Sequence, residues 1–173
     1  YTVGSFIRDL RKIKASGSTP LCLGAKDRFT TVELFENTLL SSIGARGWQH
    51  MVHNGLDWRS KQVRAALKNF GAILRYADPE ANQLTWDQAT KKLAAGGCAI
   101  ESMNDSAFGE LIADGAYEGT GFDGVAFPGT QGSFLAVVDV FVAATKAKNA
   151  KNALAFLSGI SDPATQLAFS RHK

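Results

Sequence analysis

The sequence predicts an α/β fold that is mostly helical around a small mixed sheet. Three observations indicate this class: apolar residues recur at intervals of three and four, short apolar runs separate the periodic segments, and capping residues stand where several of these segments begin. The 173 residues are 45% apolar and 20% charged, which is enough to enclose one substantial core. We therefore expect a single unit over residues 1–173.

Four helices and one strand are predicted in the first half of the chain. The helices cover residues 2–16, 30–44, 48–53 and 59–76. Thr2 or Ser5 can cap the first helix, and Thr30 with Glu33 has the spacing of a capping box at the second. A short apolar run over residues 19–24 predicts a buried strand between them.

The second half continues the alternation. Thr85 and Gln88 have capping-box spacing at the start of a helix that ends near Gly96. Further helices are expected after Asp105 and over residues 149–158 and 163–171, the last of them with Pro163 in its first turn. Three strands are predicted in this half, over residues 98–100, 122–127 and 134–143.

The two cysteines fall in predicted strands. Cys22 and Cys98 each lie in a short apolar run bounded by turn residues, so we expect them on neighbouring strands. Two buried thiols and one disulfide are both physically reasonable for such a pair.

Charge and motifs argue against several classes of function. The net charge of +3 is spread along the chain, so we expect no nucleic acid partner. The glycines of residues 119–124 precede an apolar run instead of a helix, which is wrong for a dinucleotide loop. His50 and His53 are expected to be surface residues, and no metal or other cofactor is predicted. We expect no enzyme, with a small hydrolase using Cys98 or a pair of carboxylates as the alternative.

Two aspartates are candidate ligand contacts. Asp139 interrupts the apolar run of residues 134–143, where a carboxylate must find hydrogen-bond donors, a turn or a cap. Asp105 follows the strand at residues 98–100, at the position where α/β sheets bind ligands, although it can also cap the next helix. Both residues therefore have a structural and a functional interpretation.

The order of several motifs resembles a known family. The matching segments are residues 85–89, 96–100, 127–132, 138–141 and 146–149. In this order they are similar to the carboxyl-terminal lobe of an extracellular solute-binding protein of the sugar class, the receptor of an ABC importer. The resemblance covers nearly the whole chain and includes a proline turn at Pro128.

The resemblance implies one lobe of a periplasmic-binding-protein-like fold, a fragment of a longer two-lobe protein. It implies a carbohydrate ligand between the lobes, ABC permease subunits as partners and an extracytoplasmic location. We expect a monomer that meets the membrane only through the permease or through a lipid anchor outside this chain. The implied ligand-binding residues are Phe29, Asp105, Ser106, Asp139 and Lys173.

Two positions depart from the pattern of the family. Ser106 stands where an aromatic residue is usual, and Phe29 stands where tryptophan is common. Another small polar solute is therefore the alternative to a carbohydrate.

Overall fold

The computed structural model describes residues 1–171, which are mostly helical and include a two-stranded parallel sheet. The predicted α/β class is confirmed, although the sheet is parallel instead of mixed. The chain divides into two compact units, residues 1–134 and residues 135–173. Among residues 1–171, no helix is both long enough and apolar enough to cross a membrane.

The sheet lies in the first unit. Strand β1 is Leu21–Cys22 and strand β2 is Ile100–Glu101. The strands are parallel, with Leu21 opposite Ile100 and Cys22 opposite Glu101. Both residues of β1 are fully buried, as expected from the apolar run that predicts this strand.

Five α-helices surround the sheet in the first unit. They are α1 Val3–Ala15, α2 Phe29–Val52, α3 Lys61–Leu74, α4 Trp86–Ala94 and α5 Ser106–Ala113. A short 3₁₀ helix, Ala25–Asp27, connects β1 to α2. Helix α2 is broken at Gly44, where φ is 69° and ψ is 175°. Glycine adopts such a conformation without steric cost, and the sequence predicts the end of a helix at this residue.

Of the capping motifs predicted at residues 2–5, 30–33 and 85–88, two are confirmed. The Thr2 hydroxyl accepts a hydrogen bond of 3.2 Å from the Ser5 amide at the start of α1. At α4 the Thr85 amide donates to the Gln88 side chain at 3.0 Å, within the predicted capping box. The predicted box of Thr30 and Glu33 is wrong, because α2 begins before Thr30. The buried Thr30 hydroxyl instead donates to the Gly24 carbonyl at 2.9 Å.

The core of the first unit joins α1 to the sheet and to α2 and α3. Its main cluster contains Val3, Phe6, Leu10, Leu21, Leu23, Leu34, Ile73 and Ala81. The apolar spacing of residues 59–76 predicts an inward face of α3 that includes Val63, Ala66 and Leu67. Val63 and Ala66 are buried as predicted, whereas Leu67 is exposed and Ile73 is fully buried.

Cys22 and Cys98 form a disulfide with a Cα–Cα distance of 5.7 Å. Cys98 lies two residues before β2, so the bridge connects β1 to the chain that enters the neighbouring strand. The two cysteines pack with Ala89 of α4 in a buried cluster. Of the two alternatives open in the sequence, the disulfide is the one that is present.

Within residues 135–171, the described part of the second unit, there are two helices, α6 Ala150–Ser161 and α7 Pro163–Ser170. The Asp162 carboxylate caps α7 by accepting from the amides of Ala164 and Thr165 at 3.0 and 3.1 Å. The strands predicted over residues 122–127 and 134–143 are wrong, since neither segment forms a strand in the structure. A strand requires paired neighbours for its backbone groups. Within residues 1–171 the run at 122–127 has only an isolated bridge between Phe122 and Glu118, and the run at 134–143 has no paired neighbour.

Candidate functional site

The carboxyl ends of β1 and β2 lie at one edge of the sheet because the strands are parallel. The chain leaves β1 through the 3₁₀ helix into α2, and it leaves β2 through residues 102–105 into α5. Ligands of α/β proteins bind beyond this edge of the sheet. We call the group of Phe29, Glu33, Glu101, Asn104 and Asp105 the edge site.

Asn104 connects the two segments that leave the sheet. Its Nδ2 donates a hydrogen bond of 3.0 Å to Glu33 Oε1, near the start of α2. Its Oδ1 accepts a hydrogen bond of 3.0 Å from the Ser106 amide, at the start of α5. One half-buried amide side chain therefore connects the second turn of α2 to the first residue of α5.

Glu33 retains an acceptor that is not used within the described chain. Its Oε2 is buried and has no hydrogen-bond partner among the described residues. Burial raises the pKa of Glu33, the hydrogen bond from Asn104 lowers it, and the nearby charges of Glu36 and Asp105 raise it further. Burial also raises the pKa of Glu36. A ligand that brings hydrogen-bond donors would relieve the cost of this buried carboxylate.

Glu101 is a second carboxylate at the same edge. It ends β2, and its Oε1 accepts a hydrogen bond of 3.2 Å from the Thr90 hydroxyl of α4. Burial raises the pKa of Glu101 to about 7, against the lowering effect of the Thr90 hydrogen bond. Its Oε2 is buried and has no hydrogen-bond partner within the described residues.

Three of the predicted ligand-binding residues lie at the starts of the helices that follow the strands. Asp105 is exposed directly before α5, and Ser106 is the first residue of that helix. Phe29 is the first residue of α2 and lies one turn before Glu33, so the two share a face of the helix. The ring of Phe29 is 43% exposed.

The other two predicted residues lie elsewhere. Asp139 is exposed in the second unit, and the strand on which its prediction depended does not form. Lys173 lies outside the described residues.

Sequence reasoning missed Glu33, Glu101 and Asn104 as possible site residues. Capping-box spacing assigned Glu33 to a structural role, and Glu101 was not singled out beside the cysteine strand. Their common signal is position, since each follows or ends a strand at the carboxyl edge of the sheet.

The edge site offers hydrogen-bond acceptors and one exposed aromatic ring. Among residues 1–171, no group of three or more histidine, cysteine or acidic side chains is arranged to hold a metal ion. His50 and His53 are exposed, as predicted. Carboxylates beside an aromatic ring can bind a polar molecule that carries several hydroxyl groups.

Comparison with known proteins identifies relatives that match most of this chain. No family model matches it. It is 31% identical over 143 residues to a protein of Mesorhizobium japonicum named "Probable sugar-binding periplasmic protein", covering 81% of this chain and 34% of that protein. It is also 25% identical over 169 residues to an uncharacterized ABC transporter extracellular-binding protein of Pyrococcus horikoshii, covering 98% of this chain and 38% of that protein.

The chain is homologous to solute-binding proteins of ABC transporters. A third such solute-binding protein, the xylose/arabinose-binding protein of Haloferax volcanii, is 24% identical over 158 residues, covering 90% of this chain and 34% of that protein. The chain thus spans about a third of the length of the solute-binding proteins that it matches. The family resemblance that the sequence motifs indicate is confirmed.

Proposed function

We propose that the chain is the carboxyl-terminal lobe of the substrate-binding component of an ABC importer and that its edge site binds a carbohydrate. The observation that carries this proposal is the buried, unpartnered Oε2 of Glu33 at the carboxyl edge of the sheet. The names of the homologous proteins support a sugar as the solute. The ligand would lie between this lobe and a second lobe outside these 173 residues.

The chemistry of the edge site suits sugar hydroxyl groups. Ionised carboxylates accept strong hydrogen bonds from hydroxyl donors, and a buried acceptor without a donor is costly. A donor on the ligand would therefore contribute binding energy at Glu33 and Glu101. The exposed ring of Phe29 can cover an apolar face of a sugar.

Asp105 and Ser106 extend the proposed site at the start of α5. Asp105 is exposed and its charge is close enough to Glu33 to raise the pKa of that residue. It can accept hydrogen bonds from ligand hydroxyls on the solvent side of Glu33. Asp139 and Lys173 stay predictions that rest on the family resemblance alone.

The proposed location is outside the cytoplasm, with ABC permease subunits as partners. The disulfide between Cys22 and Cys98 supports this location, because disulfides persist in oxidising compartments. We propose a binding role without catalysis. The form of the hydrolase alternative that uses Cys98 loses its nucleophile, since Cys98 is part of the disulfide and cannot supply a thiolate.

A different small polar solute is the second candidate ligand. Ser106 stands where the family usually has an aromatic residue, so the start of α5 offers no ring for stacking on a sugar. A solute that carries donors but no apolar ring face would use Glu33, Glu101 and Asp105 equally well.

A thermal-shift screen of the full-length gene product tests the proposal. A ligand that binds the native state stabilises it by a free energy of RT ln(1 + [L]/Kd), and the melting temperature rises as a result. We expect at least one mono- or oligosaccharide to raise it, and polyols, amino acids and dicarboxylates to leave it unchanged. A shift with an amino acid or another non-sugar solute alone would favour the second candidate. No shift with any of these solutes would contradict the proposed function.

A further inference from the structure

The second unit has no buried core of its own. Among its described residues, 135–171, none is buried. Several large apolar side chains are exposed instead: Val138, Val140, Val142, Leu154, Phe156 and Leu167. A segment of this size loses conformational entropy on folding and must bury apolar surface to offset that loss. The second unit therefore needs a partner surface.

The exposed apolar surface is concentrated in residues 137–142, which we call the valine segment. Its sequence is Val-Val-Asp-Val-Phe-Val. In a strand, alternate side chains point to opposite faces, so Val138, Val140 and Val142 would form one entirely apolar face. These three valines are 74%, 72% and 83% exposed.

The opposite face of the valine segment already has a neighbour. The ring of Phe141 packs edge-to-face against Phe156 of α6, with 6.2 Å between the ring centroids. Asp139 shares this face by alternation, so the charge of the segment lies away from the three valines. The valine face is thus free of charge, which makes it suitable for burial.

The backbone of the valine segment also lacks partners. Within residues 1–171 it forms no strand, and none of its backbone groups takes part in a hydrogen bond. Apolar side chains and unpaired backbone groups together indicate a missing strand neighbour.

We propose that the valine segment is a strand of a sheet completed by the part of the receptor polypeptide that lies outside these 173 residues. About two thirds of the length of the homologous proteins lies outside the part that this chain matches. A partner in the same polypeptide has a high effective concentration, which favours it over a second copy of the chain. This inference rests on the proposed function, because it requires the longer receptor.

Hydrogen exchange tests this proposal directly. Amide exchange is measured over residues 137–142 in the 173-residue chain and in the full-length receptor, without added ligand. We expect exchange in the full-length receptor to be slower by about 100-fold or more, as paired strand amides are. Equal exchange rates in the two proteins would overturn the proposal. Slow exchange of residues 137–142 in a receptor that binds no sugar would support the strand proposal and would contradict only the proposed function.

A matched pair of substitutions locates the covered surface. Val140→Asp and Val125→Asp introduce the same charge at valines that are 72% and 90% exposed in this chain. Both should leave the melting temperature of the 173-residue chain unchanged. In the full-length receptor we expect Val140→Asp to lower the melting temperature by about 5 °C or more. Val125→Asp should leave the melting temperature within about 2 °C of that of the wild-type receptor.

Two results would overturn the assignment of the partner. One is a melting temperature of the full-length Val140→Asp receptor equal to that of the wild type. The other is a dimer of the 173-residue chain in sedimentation that Val140→Asp dissociates, since the surface would then bind a second copy.

Discussion

Asn104 donates a hydrogen bond of 3.0 Å to Glu33 across 71 positions of sequence. The contact joins the second turn of α2 to the residues that lead into α5, and these are the segments that follow the two strands. It places a carboxylate and a carboxamide at the carboxyl edge of the sheet. Both structural stability and the proposed ligand binding depend on this pair.

Removing the amide of Asn104 should destabilise the chain. Asn104→Ala leaves the half-buried Glu33 carboxylate without this donor and the Ser106 amide without its acceptor. We expect the free energy of unfolding to fall by about 1 to 2 kcal/mol, measured by urea denaturation. Asn82→Ala, at an exposed turn residue, is the control and should change it by less than about 0.5 kcal/mol. Equal effects of the two substitutions would contradict a structural role for Asn104.

Glu101 should make stability depend on pH. Its pKa is about 7 in the folded chain because burial raises it from 4.5. An acid with a raised folded pKa contributes stability that is fully present below the unfolded pKa and is lost as pH rises through the folded pKa. We therefore expect the ionisation of Glu101 to lower the free energy of unfolding as pH rises from about 4.5 to 7.

Glu101→Gln isolates this effect. The amide keeps the size of the side chain but cannot ionise, and Glu33 and Glu36 titrate in both proteins. The free energy of unfolding of the variant, relative to that of the wild type, should increase by up to about 3 kcal/mol from pH 4.5 to pH 8. Urea denaturation at both pH values measures it. A difference between the two proteins that does not change with pH would show that Glu101 keeps an ordinary pKa.

Gly24 should tolerate no larger residue. A Cβ at this position would lie 2.5 Å from the Trp86 Cα and 2.6 Å from the Thr85 carbonyl carbon, both backbone atoms. We expect Gly24→Ala to destabilise the chain by about 2 kcal/mol or more, because β1 and α4 must separate. Gly71→Ala in α3 meets no atom within 4 Å and should stabilise the chain by about 0.5 to 1 kcal/mol. Equal changes in the melting temperatures of the Gly24→Ala and Gly71→Ala variants would contradict the close contact between Gly24 and the backbone at Trp86.

The disulfide should contribute much of the stability of the first unit. It closes a loop between cysteines that are 76 residues apart, which restricts the unfolded chain. Replacing Cys22 and Cys98 together by alanine should lower the free energy of unfolding by about 2 to 5 kcal/mol. Dithiothreitol should destabilise the wild type and leave the double variant unchanged. A wild type insensitive to complete reduction would argue against this contribution.

Local sequence signals predicted most of the helices and both strands of the sheet. The capping residues Thr2 and Thr85 and the break at Gly44 are local features, so spacing and residue type were sufficient to locate them. The Thr30 capping box failed because the 3₁₀ helix allows α2 to begin earlier, which capping spacing does not reveal. The length of the apolar run also predicted a strand at residues 134–143. Strand formation depends on a neighbouring strand, and the local sequence does not show whether one is present.

The candidate site was only partly predictable. Asp105 is predicted from its position after a strand as well as from the family resemblance, and Phe29 from the resemblance alone. They lie at the starts of α5 and α2. The bond between Glu33 and Asn104 is a tertiary contact, and the sequence carries no local signal for it. The burial of Glu101 depends in the same way on the packing of α4 against the sheet. Side chains that meet across the fold require coordinates to be recognised as a group.

Calorimetry on Asp105 tests the central claim most directly, that the carboxyl edge of this sheet binds the solute. Asp105→Ala is compared with Asp114→Ala, because the two exposed aspartates lie at opposite ends of α5. In the full-length receptor with its best sugar from the thermal-shift screen, we expect Asp105→Ala to weaken binding by about 10-fold or more, from the loss of a charged hydrogen bond. Asp114→Ala should bind like the wild type. An unchanged affinity in the Asp105→Ala receptor, or an equal loss in both variants, would contradict the account.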